Sequence, residues 1–250
     1  MIGPAVVVIP AGEFVMGATD DDKFATMHER PRRRVTFARP FALGRHLVTR
    51  RQWADYCNVP GAGEPDWPVL GVSFDDALGY VEHLRNATGR SWRLPSEGEW
   101  EYACRAGTTG VFHTGEHLTP GQANYLYDER GRVVGVGHPT PVGAYPPNAW
   151  GLYDMHGNAC ELVADAWRPT YGDAPCDGGA VTDDGERRRV IRGGSWDYLP
   201  RLLRCAYRDH VDRAARLDHV GFRVALDLPA SRARDAAAAG LQRCEESVQS

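Results

Sequence analysis

Helical periodicity survives in only three short windows before Gly107, and none survives from Gly107 to Arg192. Twenty-eight glycines and 17 prolines punctuate the chain, with turn dipeptides such as Pro146-Pro147 and Gly178-Gly179 inside that long stretch. Such a sequence is incompatible with a helix bundle and calls for many turns, short strands and irregular loops. A loop-rich stretch of this length inside a compact domain points to function or to bound ions.

The three windows carry their own start signals. Thr49 and Gln52 form a capping box, with Val48 and Trp53 placed as a hydrophobic staple, and the helix should run to about Cys57. Ser73 opens a second helix, with Ala77, Leu78, Val81 and Leu84 at helical spacing and an end near Gly89. Ser96 and Glu99 cap a third that carries Trp100, Ala103 and Cys104 and stops before Gly107. Val6–Ile9 and Glu13–Met16 read as strands around Pro10-Ala11-Gly12, and residues 34–48 as one or two more.

The 250 residues suffice for a sizeable core. The boundaries expected are a domain over 1–228 and an Ala/Arg/Glu-rich tail over 229–250. A net charge of -4 gives neither a nucleic-acid footprint nor a polybasic membrane patch. Mean hydropathy is -0.44, and no apolar run approaches a membrane span. Met1 to Gly12 lacks a basic leader region and reads as a strand, not a signal peptide. The cysteines 57, 104, 160, 176, 205 and 244 show no CxxC spacing, so no zinc or redox pair is signalled, and a reduced cytoplasmic protein is expected.

Several phrases occur together: Phe14-Val15-Met16-Gly17, the run from Trp92 to Glu101 (WRLPSEGEWE), the run from Asn148 to Asn158 (NAWGLYDMHGN), Arg192-Gly193-Gly194-Ser195-Trp196, and Gly221-Phe222-Arg223. In this order they resemble the sulfatase-modifying-factor family, the domain of formylglycine-generating enzymes. The resemblance covers roughly residues 5 to 226. It implies an α+β fold of the C-type-lectin kind, with twisted antiparallel sheets, two or three helices and much irregular loop. Gly193, Gly194, Arg192 and Arg223 read as scaffold, the arginines serving carbonyls and carboxylates buried among loops.

The resemblance also implies metals. A structural calcium site would take the side chains of Asp154 and Glu161 and the carbonyls of Gly157 and Ala159. A second would begin at Asn124 and Tyr125, with Asp128 as a guessed acidic ligand. His156 reads as a packed histidine. Formylglycine-generating enzymes use a cysteine pair after the Gly-Gly-Ser motif to bind copper and activate oxygen. Here no cysteine lies between Ser195 and Arg204, and Cys205 matches a different family position. The expectation is a lone thiol, no copper pair and no authentic formylglycine generation.

Two functional readings remain. One is an atypical oxygen- and metal-dependent oxidoreductase acting on a small molecule or peptide. Its candidate catalytic residues are Cys205, His210, His219 and Asp209, two histidines and a carboxylate being an iron ligand set. The other is a ligand-binding module of the kind diversified by retroelements, with no catalysis. Trp196, Asp197, Tyr198 and Tyr207 would contact the ligand in either case.

Overall fold

The computed structural model describes residues 3–58, 63–172 and 174–229. The expected tail from residue 230, and Cys244 within it, lie outside the described residues. Strands β1 (Val6–Ile9), β2 (Gly12–Met16), β3 (Arg33–Phe37) and β4 (Phe41–Gly44) lead into helices α1 (Arg50–Cys57) and α2 (Phe74–Thr88). Strand β5 (Trp92–Arg93) and helix α3 (Glu97–Arg105) follow, then β6 (Cys160–Ala166), β7 (Arg188–Arg192), β8 (Arg208–Asp212), β9 (Val220–Phe222) and β10 (Ala225–Asp227). The class is α+β. No helix among the described residues is long and apolar enough to cross a membrane.

All three helices start at the residues their caps specify. Thr49 Oγ1 accepts the Gln52 N–H at 3.3 Å while Gln52 Oε1 accepts the Thr49 N–H at 3.0 Å. Ser73–Asp76 and Ser96–Glu99 repeat the arrangement. Gly89 ends α2 in the left-handed region. β1 and β2 do not pair with each other across Pro10-Ala11-Gly12. β1 joins the sheet β1-β4-β10-β5, while β2 pairs with β3 in a separate ribbon.

The third sheet, β8-β7-β6-β9, positions the chemistry. Register places Glu161, Arg192 and Arg208 in one row, and Leu162, Ile191 and Asp209 in the next. Because strand residues alternate, these rows face opposite sides of the sheet. The first faces α3, all of whose residues are buried.

Four arginines tie that interior. Arg192 donates to Glu101 at 2.6 Å, and Arg208 holds Glu97 at 2.8 and 2.6 Å. Arg223 grips both oxygens of Glu161 at 2.5 and 2.6 Å, and Arg204 grips Glu29 at 2.7 Å twice. Irregular backbone leaves orphan carbonyls, and these planar forks satisfy them: Arg192 also serves Cys205 O, and Arg223 serves Gly44 O and Tyr153 O. Gly194 belongs to the same scaffold. It has φ +70°, and a Cβ there would lie 2.6 Å from Leu202 O.

Asp165, buried on β6 with its carboxylate against the start of α3, gives a pH test. Burial, then the Glu97 charge, pushes its carboxyl up to about 7, against the N–H groups of Val181 and Glu97. A carboxyl with its folded pKa raised above the unfolded value of 3.8 contributes stability below that value and loses it as pH rises toward 7. His46 and His113 slope the other way, since burial lowers them to about 4 and about 3. The difference between wild type and Asp165→Asn isolates the aspartate. In urea melts the wild type should lose stability relative to the variant between pH 4 and pH 7, by at most about 1.4 kcal/mol per pH unit. Parallel curves would contradict the assignment.

Candidate functional site

The sulfurs meet where spacing gave no warning. Cys104, on α3, and Cys205, just before β8, stand 3.6 Å apart (Sγ to Sγ), and both are buried. His156 Nδ1 lies 4.0 Å from Cys104 Sγ. Among the described residues this trio is the group of three His, Cys, Asp or Glu side chains whose ligand atoms converge within 4.8 Å. The expectation of a lone Cys205 is therefore corrected, and the argument that one thiol is too few for copper fails with it. Pairing over 101 residues is set by the packing of α3 beneath the sheet, which no local pattern encodes.

The surroundings decide the charge at the pair. Burial opposes any thiolate here, yet the Cys104 thiol, His156 and Arg105 hold Cys205 well below an ordinary thiol. Burial and the neighbouring Cys205 push Cys104 well up. Within the pair, negative charge is therefore favoured on Cys205 over Cys104. Arg105 and Arg192 are both bound to Glu101, which leaves one positive charge to balance it.

His156 is fixed on both ring nitrogens. Nδ1–H donates to Leu203 O at 2.7 Å, and Nε2 accepts the His113 N–H at 3.2 Å, the tautomer following from these partners. The His113 ring stacks on it at 4.7 Å, and Phe112 meets it edge-on at 5.3 Å. The segment 111–113 therefore covers the trio, and Val111 O also accepts the Cys205 N–H at 2.9 Å. Cys104, His156 and His113 are site residues that sequence reasoning missed. The only signal was a cysteine on the apolar face of α3.

The proposed iron set does not assemble. His210 lies against Trp167 at 4.5 Å, while His219 lies against Tyr198 at 5.7 Å. Asp209 Oδ2 accepts the Tyr207 hydroxyl at 3.2 Å, and Oδ1 accepts the His210 N–H. Each histidine has its own aromatic neighbour, and no shared point between them is within ligand reach.

The calcium candidates also have other partners. Both Glu161 oxygens are held by Arg223, whose guanidinium balances the buried carboxylate expected as a calcium ligand. Asp154 Oδ2 accepts the Gly143 N–H at 2.8 Å, and burial raises its carboxyl to about 6. Gly157 O accepts the Ala159 N–H at 2.8 Å. Asn124 Nδ2 donates to His138 O and Asn158 Oδ1, while its own Oδ1 is buried without a donor. Tyr125 gives its hydroxyl to Leu118 O. Asp128 is engaged by Arg132 in its own turn, not by Asn124.

Of the ligand-contact candidates, Tyr198 packs with Leu162 and Ile191, and the Tyr207 hydroxyl reaches Asp209. Asp209 shares its row with Ile191 and Leu162, opposite Arg192. Tyr198 and Tyr207 are both raised by burial first, and the charges of Cys160 and Asp209 act on both. Ser195 Oγ, Trp196 Nε1 and Asp197 Oδ1 are buried with no partner.

The sulfatase-modifying factor enzyme 1-like domain model matches residues 2–228. The formylglycine-generating enzyme of Bos taurus is 35% identical over 175 residues, 65% of this chain and 45% of that protein. The formylglycine-generating enzyme of Thermomonospora curvata is 28% identical over 295 residues, 90% of this chain and 94% of that protein. A serine/threonine-protein kinase pkn1 of Chlamydia caviae is 29% identical over 88% of this chain and 37% of its own. The chain thus spans less than half the length of the first curated relatives it matches. Among solved structures, PvdO from Pseudomonas aeruginosa superposes with a TM-score of 0.82 at 35% identity, over 90% of this chain and 95% of that one. Treponema denticola variable protein 1 gives 0.74 at 21% identity over 91% and 98%, a likeness of fold alone. These neighbours bear out the formylglycine-generating-enzyme-like, C-type-lectin-like fold.

Proposed function

This chain belongs to the sulfatase-modifying factor enzyme 1-like family, and from that premise we propose that it is an atypical metal- and oxygen-dependent oxidoreductase acting on a small molecule or peptide. Its metal seat is the Cys104–Cys205 pair. One observation carries the reading: two buried thiols in contact, with an imidazole beside them and no carboxylate in the set.

The donor chemistry fits copper(I). Two sulfurs are soft ligands, which favour Cu(I) over calcium, magnesium or manganese. The charge fits as well. A monovalent ion between two thiolates leaves one negative charge, matched by Arg105 and Arg192 against Glu101. A divalent ion would leave the buried arginines unbalanced. Copper held there supplies the means of passing electrons from substrate to dioxygen.

The chain's own residues prepare the seat. Arg105 favours the thiolate of Cys205. Leu203 O and the His113 N–H fix the His156 ring beside the sulfurs, and Phe112 and His113 exclude water from above. The enzyme is atypical because its sulfurs come from α3 and from Cys205, not from the segment after Ser195.

The test is an anaerobic titration of reduced protein with Cu(I) against a competing chromogenic chelator. The expected result is one copper per chain, retained when excess calcium or zinc is added. Copper uptake that disappears when the exposed Cys57 and Cys176 are changed to serine would contradict the reading.

A second reading, ligand recognition without catalysis, is favoured by a different observation. The unpartnered Ser195 Oγ, Trp196 Nε1 and Asp197 Oδ1 sit beside the half-buried Tyr198 and Tyr207. Buried polar atoms without partners mark places where water or a ligand completes the bonding. A copper-free chain in which Asp197→Ala abolishes ligand capture would support that reading.

A further inference from the structure

We propose that the cavity of about 480 Å³ beside the thiol pair is the substrate's seat, and that it takes an organic cation: an amine or guanidinium carried on an apolar or aromatic body. As a substrate seat it rests on the thiol-pair reading above; as a binding site it stands independently.

Position comes first. Val111, Phe112 and Arg204 line this cavity, and Val111 and Phe112 also touch the thiol–imidazole trio. Val111 O accepts the Cys205 N–H, Phe112 meets His156 edge-on, and Arg204 adjoins Cys205 in sequence. A molecule in this cavity is separated from the trio by the thickness of one residue layer.

Shape and charge then select the ligand. Phe24, Phe112, Leu118, Tyr125 and Pro200 supply an apolar body, and the volume is that of a small-molecule pocket. The lining carries five carboxylates (Asp21, Asp22, Glu116, Asp128, Glu129) against three cations (Lys23, Arg201, Arg204), a formal surplus of two negative charges.

The arginines are already committed. Arg204 binds Glu29 and Asp22, and Arg201 binds Glu129. Asp128 is paired with Arg132. Asp21 and Glu116 have no ion pair among the described residues and stand on the exposed rim. Phe24 already attracts cations, with Lys23 Nζ 5.1 Å and the Arg201 guanidinium 5.9 Å from its ring centre. An anion would face the surplus carboxylates, and a neutral apolar molecule would leave them unmatched.

The probes are phenethylammonium and phenylacetate, which share a body and differ in charge. They are titrated calorimetrically into the copper-free chain at low salt. Phenethylammonium should bind at least about tenfold more tightly than phenylacetate. The advantage should fall about tenfold in the Asp21→Asn/Glu116→Gln double variant, whose changed side chains are exposed and leave folding intact. Equal or tighter phenylacetate binding, an unchanged preference in the double variant, or no binding of either probe at about 10 mM would each overturn the proposal. None of these outcomes involves copper, so failure here leaves the thiol seat standing. Failure of the copper titration likewise leaves the cation preference to be read on its own.

Discussion

Replacing Cys205 with serine is expected to weaken Cu(I) binding by about a hundredfold or more, and Cys104→Ser should do the same. Serine keeps the volume but offers a hard hydroxyl that does not ionise at neutral pH. Cu(I) held by two thiolates would be left with one. The change also puts a hydroxyl where neither sulfur is exposed, beside Arg105 and Arg192, at a stability cost of about 1–3 kcal/mol. A thermal melt separates that modest loss from unfolding. His156→Ala should have a smaller effect, because its ring nitrogens already bond Leu203 O and the His113 N–H. Cys57→Ser and Cys176→Ser should change nothing, since both thiols are exposed and away from the pair. Equal losses in all four cysteine variants would mean that copper binds without the fold's selection.

Glu161→Ala should destabilise the domain by about 3–5 kcal/mol, because it strips a fully buried guanidinium of its counter-charge. Arg223 would keep only the carbonyls of Gly44 and Tyr153. For a domain of this size that corresponds to a fall in Tm of about 10 °C. The double variant Glu161→Leu/Arg223→Met should recover most of the loss, since removing both charges also removes the cost of keeping them from water. Thermal melts of the wild type, the single variant and the double variant check this. A small effect of Glu161→Ala would mean that water reaches Arg223. A double variant as unstable as the single one would place the stabilisation in hydrogen bonds to backbone carbonyls, not in the ion pair.

The helices and the scaffold were legible because they are written locally. Thr49–Gln52, Ser73–Asp76 and Ser96–Glu99 each state a helix start within four residues, and the structure uses all three. Arg192 and Arg223, beside glycine-containing phrases, were legible as scaffold because irregular backbone has few other ways to satisfy buried carbonyls. The thiol pair was not legible. Cys104 lies on a helix face that reads as core, and Cys205 lies 101 residues away, so only the packing of α3 against β6 and β7 relates them. The two-histidine, one-carboxylate reading failed for the converse reason. His210 and His219 are near in sequence, but the chain leads each to a different aromatic neighbour. The family resemblance implied calcium for Glu161, while nothing local to it points to Arg223, 62 residues further on.

X-ray absorption at the copper edge of the Cu(I)-loaded chain, with Cys57 and Cys176 replaced by serine, tests the central claim most directly. The account predicts two sulfur neighbours around copper, reduced to one in Cys205→Ser. A copper shell of nitrogen and oxygen alone, or an unchanged shell in that variant, would contradict it.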